Sequence, residues 1–146
     1  ITSIGSNAFY NCSNITLSSL PSGITEIKDY TFAGCIGITQ FSIGDNVTTI
    51  GSESYSNAFS NCENLANISI GTGVTSIGYG TFYGVKPGFI ITINAVTPPT
   101  AGDNFLGSVS VSTHLPSKII VPAGCGETYK VAAGWSDYAD YIVEAS

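Results

Sequence analysis

Apolar residues recur in a fixed order along the first two thirds of the chain, and the order repeats every 23 to 27 residues. Units of this pattern begin near Ile1, Ile24, Val47 and Val74, at spacings of 23, 23 and 27 residues. A short insertion, Glu53–Ser56, accounts for the longer spacing. A period in this range is typical of repeat proteins in which each unit packs only on its neighbours. The sequence therefore predicts one continuous core that is built unit by unit.

The units share several apolar columns. The aromatic column contains Phe9, Phe32, Phe59 and Phe82, and the position three residues later contains Cys12, Cys35, Cys62 and Val85. A further column contains Ile15, Ile38 and Leu65, with Gly88 in the fourth unit. Because aromatic side chains bury large apolar areas, the four rings are expected to stack as the spine of the core.

A short strand is predicted at the end of each unit. Runs such as Asn67–Ile70 alternate polar and apolar residues with the period of two that a strand with one buried face requires. Turn residues follow each run, as at Gly44–Asn46, because Gly, Asn and Asp tolerate positive φ. The repeats show no long helical period. The predicted fold class is mainly β, with short turns and 3-10 segments.

The chain divides into three predicted parts of one domain. Residues 1–94 form the repeat array, residues 95–122 a degenerate terminal repeat, and residues 123–146 a C-terminal cap. Pro98 and Pro99 lack backbone donors, so we expect regular pairing to end there.

The final segment has the only helical character in the chain. Trp135, Tyr138, Tyr141 and Ile142 recur at three- and four-residue spacing. We expect a small helical cap here that covers the last unit, after a strand at Lys118–Pro122.

Three stretches carry a resemblance to a known family. They read ITSIGSNAFYNCSNI, ITEIKDYTFAGCIGI and NAFSNCENLANISI. The pattern resembles the bacterial leucine-rich repeats of the BspA type, also called the Treponema pallidum type, over about residues 1–93. The resemblance implies a right-handed leucine-rich-repeat solenoid in a bacterial surface protein. Because the first core position is residue 1 and the chain has no Met, we interpret it as a C-terminal fragment of a longer array.

Charge is sparse and mostly negative. Four lysines, no arginine and ten carboxylates give a net charge of −6. Nucleic acid and anionic membrane surfaces both favour Lys/Arg clusters, so neither is an expected partner. No apolar run reaches the ~18–20 residues of a membrane span, so no membrane insertion is expected.

The cysteine column permits two interpretations. Neighbouring members are expected one strand spacing apart, about 4.7–4.9 Å, which is within reach of a disulfide. Their side chains point the same way into the core, however, and Val85 occupies the same column. This favours buried free thiols that act as small apolar fillers, with a disulfide or a metal site as the alternative. Cys125 has no obvious partner.

No residue set predicts catalysis or a cofactor, so the chain is interpreted as a non-enzyme. His114, the single histidine, falls in a loop-like stretch, and a solvated or structural role is expected for it. Asp137, Asp140 and Glu144 are expected to share one solvated face of the terminal segment rather than a metal site.

Binding is expected on surfaces, and two candidates stand out. The outward positions of the strands predict two rows, which contain Leu17, Gln40, Asn67 and Ile90, and Ser19, Ser42, Ser69 and Thr92. The insertion is the second candidate, through Glu53 and Tyr55, because loops that interrupt a repeat often carry specificity. A solvated hydroxyl ladder and a tolerated insertion are the alternatives.

The function implied by the resemblance is an extracellular or cell-surface adhesion and protein-interaction module. Its partners would be host extracellular-matrix or cell-surface proteins. A passive spacer that projects another domain is the alternative, and a glycan-binding module is a third interpretation that only the Tyr-rich loops suggest. The sequence does not indicate an oligomeric state.

Overall fold

Short strands separated by turns account for most of the regular structure. A computed structural model describes residues 1–111 and 113–146. Its elements are β1 (Glu26–Ile27), β2 (Gln40–Ile43), β3 (Thr49–Ile50), β4 (Asn67–Ile70), β5 (Ser76–Ile77), β6 (Ile90–Ile93), β7 (Thr100–Ala101), β8 (Lys118–Val121), α1 (Gly126–Val131), a 3-10 segment (Ser136–Tyr141) and β9 (Ile142–Glu144). The prediction of a mainly β repeat fold is confirmed.

The strands form two parallel sheets. One sheet has the order β1-β3-β5-β7 and the other the order β2-β4-β6-β8-β9. Units two to four each contribute one two-residue strand near the start of the unit, which ends at Ile27, Ile50 or Ile77, and one four-residue strand at its end. Within the longer strands burial alternates, as in β2, where Phe41 and Ile43 are buried and Gln40 and Ser42 are exposed. The buried residues of both sheets belong to one core cluster.

The phenylalanine column forms the predicted spine. Phe9, Phe32, Phe59 and Phe82 stack with ring centroids 5.4, 5.2 and 5.4 Å apart. Phe41 of β2 packs on two of these rings, at 5.4 and 4.9 Å.

The loops that carry these rings are also paired with each other. We call residues 7–12, 30–35, 57–62 and 80–85 the phenylalanine loops. The amide of Phe32 donates to Ala58 O at 2.8 Å, and the amide of Phe59 donates to Thr81 O at 2.9 Å. Each loop is therefore held to its neighbour by a third ladder of hydrogen bonds, beyond those of the two sheets.

Left-handed backbone at two positions shapes each phenylalanine loop. The residues two before and two after the Phe have positive φ in all four loops. They are Asn7, Tyr30, Asn57 and Gly80, and Asn11, Gly34, Asn61 and Gly84. Asn and Gly are the residues that adopt this conformation most readily. The recurrence of Asn and Gly in these columns is a sequence signal that the periodicity argument did not use.

The expectation that Pro98 and Pro99 end regular pairing is wrong. Strand β7 begins at Thr100, directly after the prolines, and pairs with β5. The amide of Thr100 donates to Thr75 O at 2.9 Å. Proline removes only its own donor, so the next residue is free to resume the ladder.

The small helical cap is present, but the expected helical spacing is wrong at its last member, Ile142. The helix α1 and the 3-10 segment are short, and Ile142 begins strand β9 instead of continuing the helical spacing. β9 pairs in parallel with β8, with Ile119 opposite Ile142. The C-terminal segment therefore extends the five-stranded sheet by one strand as well as contributing helical turns.

Buried aromatic side chains anchor this segment. Trp135 lies 4.8 Å from Phe105 in an edge-on arrangement, and its Nε1 donates to Pro99 O at 2.8 Å. The hydroxyl of Tyr129 donates to Ala95 O at 2.7 Å. Burial raises the pKa of Tyr129, so this hydroxyl keeps its proton well above the pH at which an exposed tyrosine ionises.

In the fourth unit, a residue other than the expected one fills the core position that Ile38 and Leu65 occupy in units two and three. Gly88 was expected in the column of Ile38 and Leu65, but it is exposed, and the adjacent Phe89 is 1% exposed. Leu65 N donates to Cys62 O, and Phe89 N makes the matching bond to Lys86 O. One extra residue in this turn therefore shifts the apolar side chain from residue 88 to residue 89.

Candidate functional site

The outward side chains of the five-stranded sheet, which we call the outer face, form two rows. The register places Gln40 opposite Asn67, Asn67 opposite Ile90, and Ile90 opposite Lys118. The second row contains Ser42, Ser69, Thr92 and Ile120. The structure thus brings the predicted residues of β2, β4 and β6 together, and their role in binding stays a prediction.

The first unit joins this face only at its edge. Ser19 pairs with Ser42 through an isolated parallel bridge, and Ser42 N donates to Ser18 O at 2.8 Å. Leu17 precedes the bridge, is 38% exposed, and borders a separate hollow beside Phe9 at the edge of the core. Leu17 is therefore not part of the recess that the other predicted row members line.

The outer face is shallowly recessed across β2, β4 and β6. The recess has a volume of about 400 Å³, and Gln40, Asn67, Ser42, Ser69 and Thr92 are among the residues that line it. The hydroxyls of Ser42 and Ser69 lie 3.2 Å apart and bond to each other. Among the described residues no hydrogen bond uses the side-chain amide of Gln40 or Asn67, which leaves both amides available to a partner.

The chemistry of the outer face changes from one end of the sheet to the other. The β2 and β4 side presents amides and hydroxyls, whereas β6, β8 and β9 present the aliphatic side chains of Ile90, Ile120 and Val143, with Thr92 and Lys118 among them. Val143 is 43% exposed and lies opposite Ile120. Sequence reasoning stopped at Thr92 and missed Lys118, Ile120 and Val143. The available signal for the first two was the strand predicted at Lys118–Pro122, because the first and third residues of a strand point to the same face.

The insertion lies apart from the outer face. Glu53 and Tyr55 are exposed, Tyr55 at 67%, and neither lines the recess. The loop is anchored by Ser56, which is fully buried and whose hydroxyl bonds to Thr81 Oγ1 at 2.6 Å. The two candidate surfaces of the sequence analysis are therefore separate.

All four cysteines are free thiols, as the column argument favoured. They are more than apolar fillers, because Cys35 Sγ donates to Phe9 O at 3.0 Å and Cys62 Sγ donates to Phe32 O at 3.1 Å. Each of these thiols links its own unit to the preceding phenylalanine. Burial raises the pKa of both, that of Cys62 to about 12, so neither is a ready nucleophile.

The acidic residues of the C-terminal segment do not share a face as expected. Asp137 and Asp140 are exposed on the 3-10 segment, whereas Glu144 lies in β9 and accepts a 2.6 Å hydrogen bond from Gly124 N. The reason is the change from helical turns to strand at Ile142. Within residues 1–111 and 113–146, no group of three or more His, Cys, Asp or Glu side chains is placed to hold a metal ion.

Two further observations concern membrane-spanning segments and the single histidine. In the part of the chain that the structure describes, no helix has the length and apolar character needed to cross a membrane. His114 is partly buried and engages a neighbouring group, and Ser112 in the same stretch lies outside the described residues.

Comparison with known proteins agrees with the repeat architecture. Residues 1–97 match the family model described as "BspA type Leucine rich repeat region (6 copies)". A search of curated proteins gives no significant match. The matched region covers all four units and both sheets up to β6. The chain belongs to the family of BspA-type leucine-rich repeat proteins.

Proposed function

We propose that this chain is a protein-interaction module that binds a partner protein through its outer face. The observation that carries the proposal is the in-register alignment of outward side chains on β2, β4, β6 and β8. Repetition places equivalent groups at about 4.8 Å intervals on a rigid surface. Such a surface offers many simultaneous contacts without the entropic cost of ordering loops.

The composition of the face supports a protein partner. The aliphatic side, with Ile90 and Ile120, resembles the apolar centre of an interface, and the free amides of Gln40 and Asn67 supply directional hydrogen bonds beside it. The net charge of −6 and the four lysines disfavour nucleic acid and anionic membranes. The exposed insertion, through Glu53 and Tyr55, would add a second contact region.

The family and the architecture suggest the wider setting. We place the module in a right-handed solenoid, with the array at residues 1–94, a terminal repeat at 95–122 and a cap at 123–146. Leucine-rich repeats are typically non-enzymatic binding scaffolds, and a non-catalytic role is part of the proposal. By family resemblance the module would be extracellular or on the cell surface and would act in adhesion, with host extracellular-matrix or cell-surface proteins as partners.

The test is a binding screen against immobilised extracellular-matrix proteins, with the double variant Gln40→Ala/Asn67→Ala. Both side chains are exposed, so the fold is expected to be unaffected. The matched control is Thr49→Ala/Ser76→Ala, which removes two neighbouring polar side chains from the other sheet. Saturable binding that is weakened at least tenfold by the first variant and unchanged by the control supports the proposal.

The opposite results argue for other functions. Binding that both double variants leave unchanged would place the contact away from the outer face. Equal losses in both would show that the effect of Gln40→Ala/Asn67→Ala is not specific to that face. A partner that is lost only on Tyr55→Ala would place it on the insertion. No binding to any protein, with both sheets intact, would favour the passive spacer.

A further inference from the structure

A second recess lies on the outward side of the phenylalanine loops, away from the outer face. Tyr10 and Tyr83 occupy the same column, directly after the Phe of the first and fourth units, and they stand at the two ends of the recess. Ala33 and Ser60 occupy that column in the two middle units and form the floor between them. Three unit spacings separate the tyrosines, about 14 Å at strand spacing. The volume is about 240 Å³.

The lining combines aromatic rings with amides. Tyr10 is 51% exposed and Tyr83 is 39% exposed. Tyr30 stands edge-on to Tyr10 with ring centroids 6.3 Å apart. The exposed side-chain amides of Asn11 and Asn61 take part in none of the hydrogen bonds between described residues. The recess thus brings tyrosine side chains together with amide donors and acceptors that no described residue uses.

The backbone fixes these groups firmly. Asn11 N donates to Ala33 O, Gly34 N to Ser60 O, and Asn61 N to Tyr83 O, each at 2.8 Å. A Cβ at position 34 would collide with the side-chain oxygen of Asn11. Glycine at this position therefore lets the two loops approach closely beneath the recess. The lining therefore needs little reordering when a ligand arrives, which favours binding of a small molecule.

Tyr30 carries an additional signal. Its φ is 58°, a conformation that is unusual for a bulky residue, whereas the equivalent positions hold Asn7, Asn57 and Gly80. Its hydroxyl accepts a 3.3 Å hydrogen bond from Asn57 Nδ2. Backbone strain of this kind tends to be retained at functional sites. An Asn or Gly here would relieve the strain but would remove one wall of the recess.

We propose that this recess binds a short neutral oligosaccharide. The faces of the tyrosine rings carry negative charge density that attracts the polarised C–H groups of a sugar ring. Amide and hydroxyl groups beside them match the hydroxyls of the sugar in both donor and acceptor roles. No charged side chain lines the recess, so it offers no counter-charge to a sulfated, sialylated or phosphorylated ligand. This site is separate from the outer face and does not depend on the function proposed for that face.

The experiment is isothermal titration calorimetry with neutral oligosaccharides of two to four units, built from glucose, galactose, mannose and N-acetylhexosamines. Sulfated and sialylated oligosaccharides serve as charged comparisons. We expect saturable binding of at least one neutral ligand. Tyr10→Ala and Tyr83→Ala should each weaken it about tenfold, because each removes one stacking surface. The double variant should abolish it.

Three controls make the result specific. Tyr10→Phe/Tyr83→Phe keeps both rings and should retain more affinity than the alanine variants. Tyr79→Ala removes a tyrosine of similar exposure, 40%, that does not line the recess, and should have no effect. Gln40→Ala/Asn67→Ala should also leave sugar binding unchanged, which separates this site from the outer face.

The proposal is overturned by any of four outcomes. These are no binding of any neutral oligosaccharide, binding that survives Tyr10→Ala/Tyr83→Ala, binding of charged ligands only, or loss of a protein partner on the same double variant without sugar binding. Circular dichroism and thermal unfolding of each variant establish that the fold is retained, which is expected because both tyrosines are exposed.

Discussion

The first unit and the second unit have equivalent sequences but very different burial. Ile1 and Ile24 occupy the same column, yet Ile1 is 86% exposed and Ile24 is 1% exposed. Phe9 is partly buried and contacts one ring of its column, whereas Phe32 is fully buried between two. The difference teaches that an apolar column residue of this chain is fully buried only where a neighbouring unit packs on both sides of it, so residue type alone does not decide burial.

The C-terminal end of the array presents the opposite case. Phe105 is fully buried because Trp135 and Tyr138 pack on its ring, at 4.8 and 5.5 Å. Strand β9 covers the edge of β8 that would otherwise present unpaired backbone groups. The helical turns and strand β9 are unrelated in sequence to the repeats. They nevertheless cover the core of the last unit, as the next repeat covers the core of each middle unit.

The largest effect is expected from deleting residues 123–146. The deletion uncovers Phe105 and the edge of β8, so we expect aggregation or loss of cooperative unfolding. Size-exclusion chromatography with light scattering and urea unfolding measure both. The matched control deletes residues 1–23, which makes unit two the exposed end and should leave a soluble monomer. A monomeric 1–122 chain with an unchanged urea midpoint would contradict the covering role.

Phe32→Ala should be more costly than Phe9→Ala. The first substitution leaves a cavity in a closed part of the core and should lower the free energy of unfolding by about 3–5 kcal/mol. The second removes a half-covered ring, and about 1–2 kcal/mol is expected. Urea unfolding of both variants measures the difference. Equal losses, or a loss below about 1 kcal/mol for Phe32→Ala, would show that neighbours on both sides do not decide burial.

High pH should destabilise the protein through its buried thiols. Burial raises the pKa of Cys62 from 9.0 to about 12 in the folded state, so between these values the unfolded thiol loses its proton while the folded one keeps it. Stability is therefore fully present below pH 9 and falls as the pH rises, by about 1.4 kcal/mol per pH unit for one such group.

Cys62→Val is the variant that isolates this effect, because Val85 occupies the same column in the fourth unit. We expect a loss below about 1.5 kcal/mol at pH 7 and a shallower decline of the unfolding free energy from pH 9 to 11. Urea unfolding across this range measures it. An unchanged alkaline slope would mean that Cys62 does not titrate on unfolding.

The smallest effect concerns thiol reactivity rather than stability. Cys12 is partly buried in the first unit, whereas Cys35 and Cys62 are fully buried. With an aromatic disulfide reagent, Cys12 should react before Cys35 and Cys62 in the native protein, and four thiols should titrate after denaturation without reductant. Two or fewer thiols in denatured protein would indicate a disulfide instead.

Repetition explains how much of the molecule the sequence predicted. Gln40, Asn67 and Ile90 were placed in one row because equal positions in successive units must become neighbours once the units stack. The phenylalanine spine followed from the same argument. These predictions needed only the period, which the sequence shows directly.

Some features do not follow from the repeat pattern, and the sequence did not predict them for physical reasons. β9 is a three-residue strand whose formation depends on β8, a contact between segments with no shared pattern. The shift from Gly88 to Phe89 follows from one extra residue in a turn, which alignment by column does not resolve. The recess between Tyr10 and Tyr83 lies along one column of the repeat, but the hollow that the small, buried Ala33 and Ser60 leave between the two tyrosines is seen only in the structure.

Native-state hydrogen exchange tests most directly the claim that neighbours, and not residue type, hold each unit in place. The amides of Phe9, Phe32 and Phe59 make equivalent bonds to the next unit, at 2.9, 2.8 and 2.9 Å. We predict much weaker protection for Phe9 than for Phe32 and Phe59, and protection of the β8 amides that approaches that of β4. Equal protection of all three phenylalanines, or a β8 as unprotected as the first unit, would contradict the account.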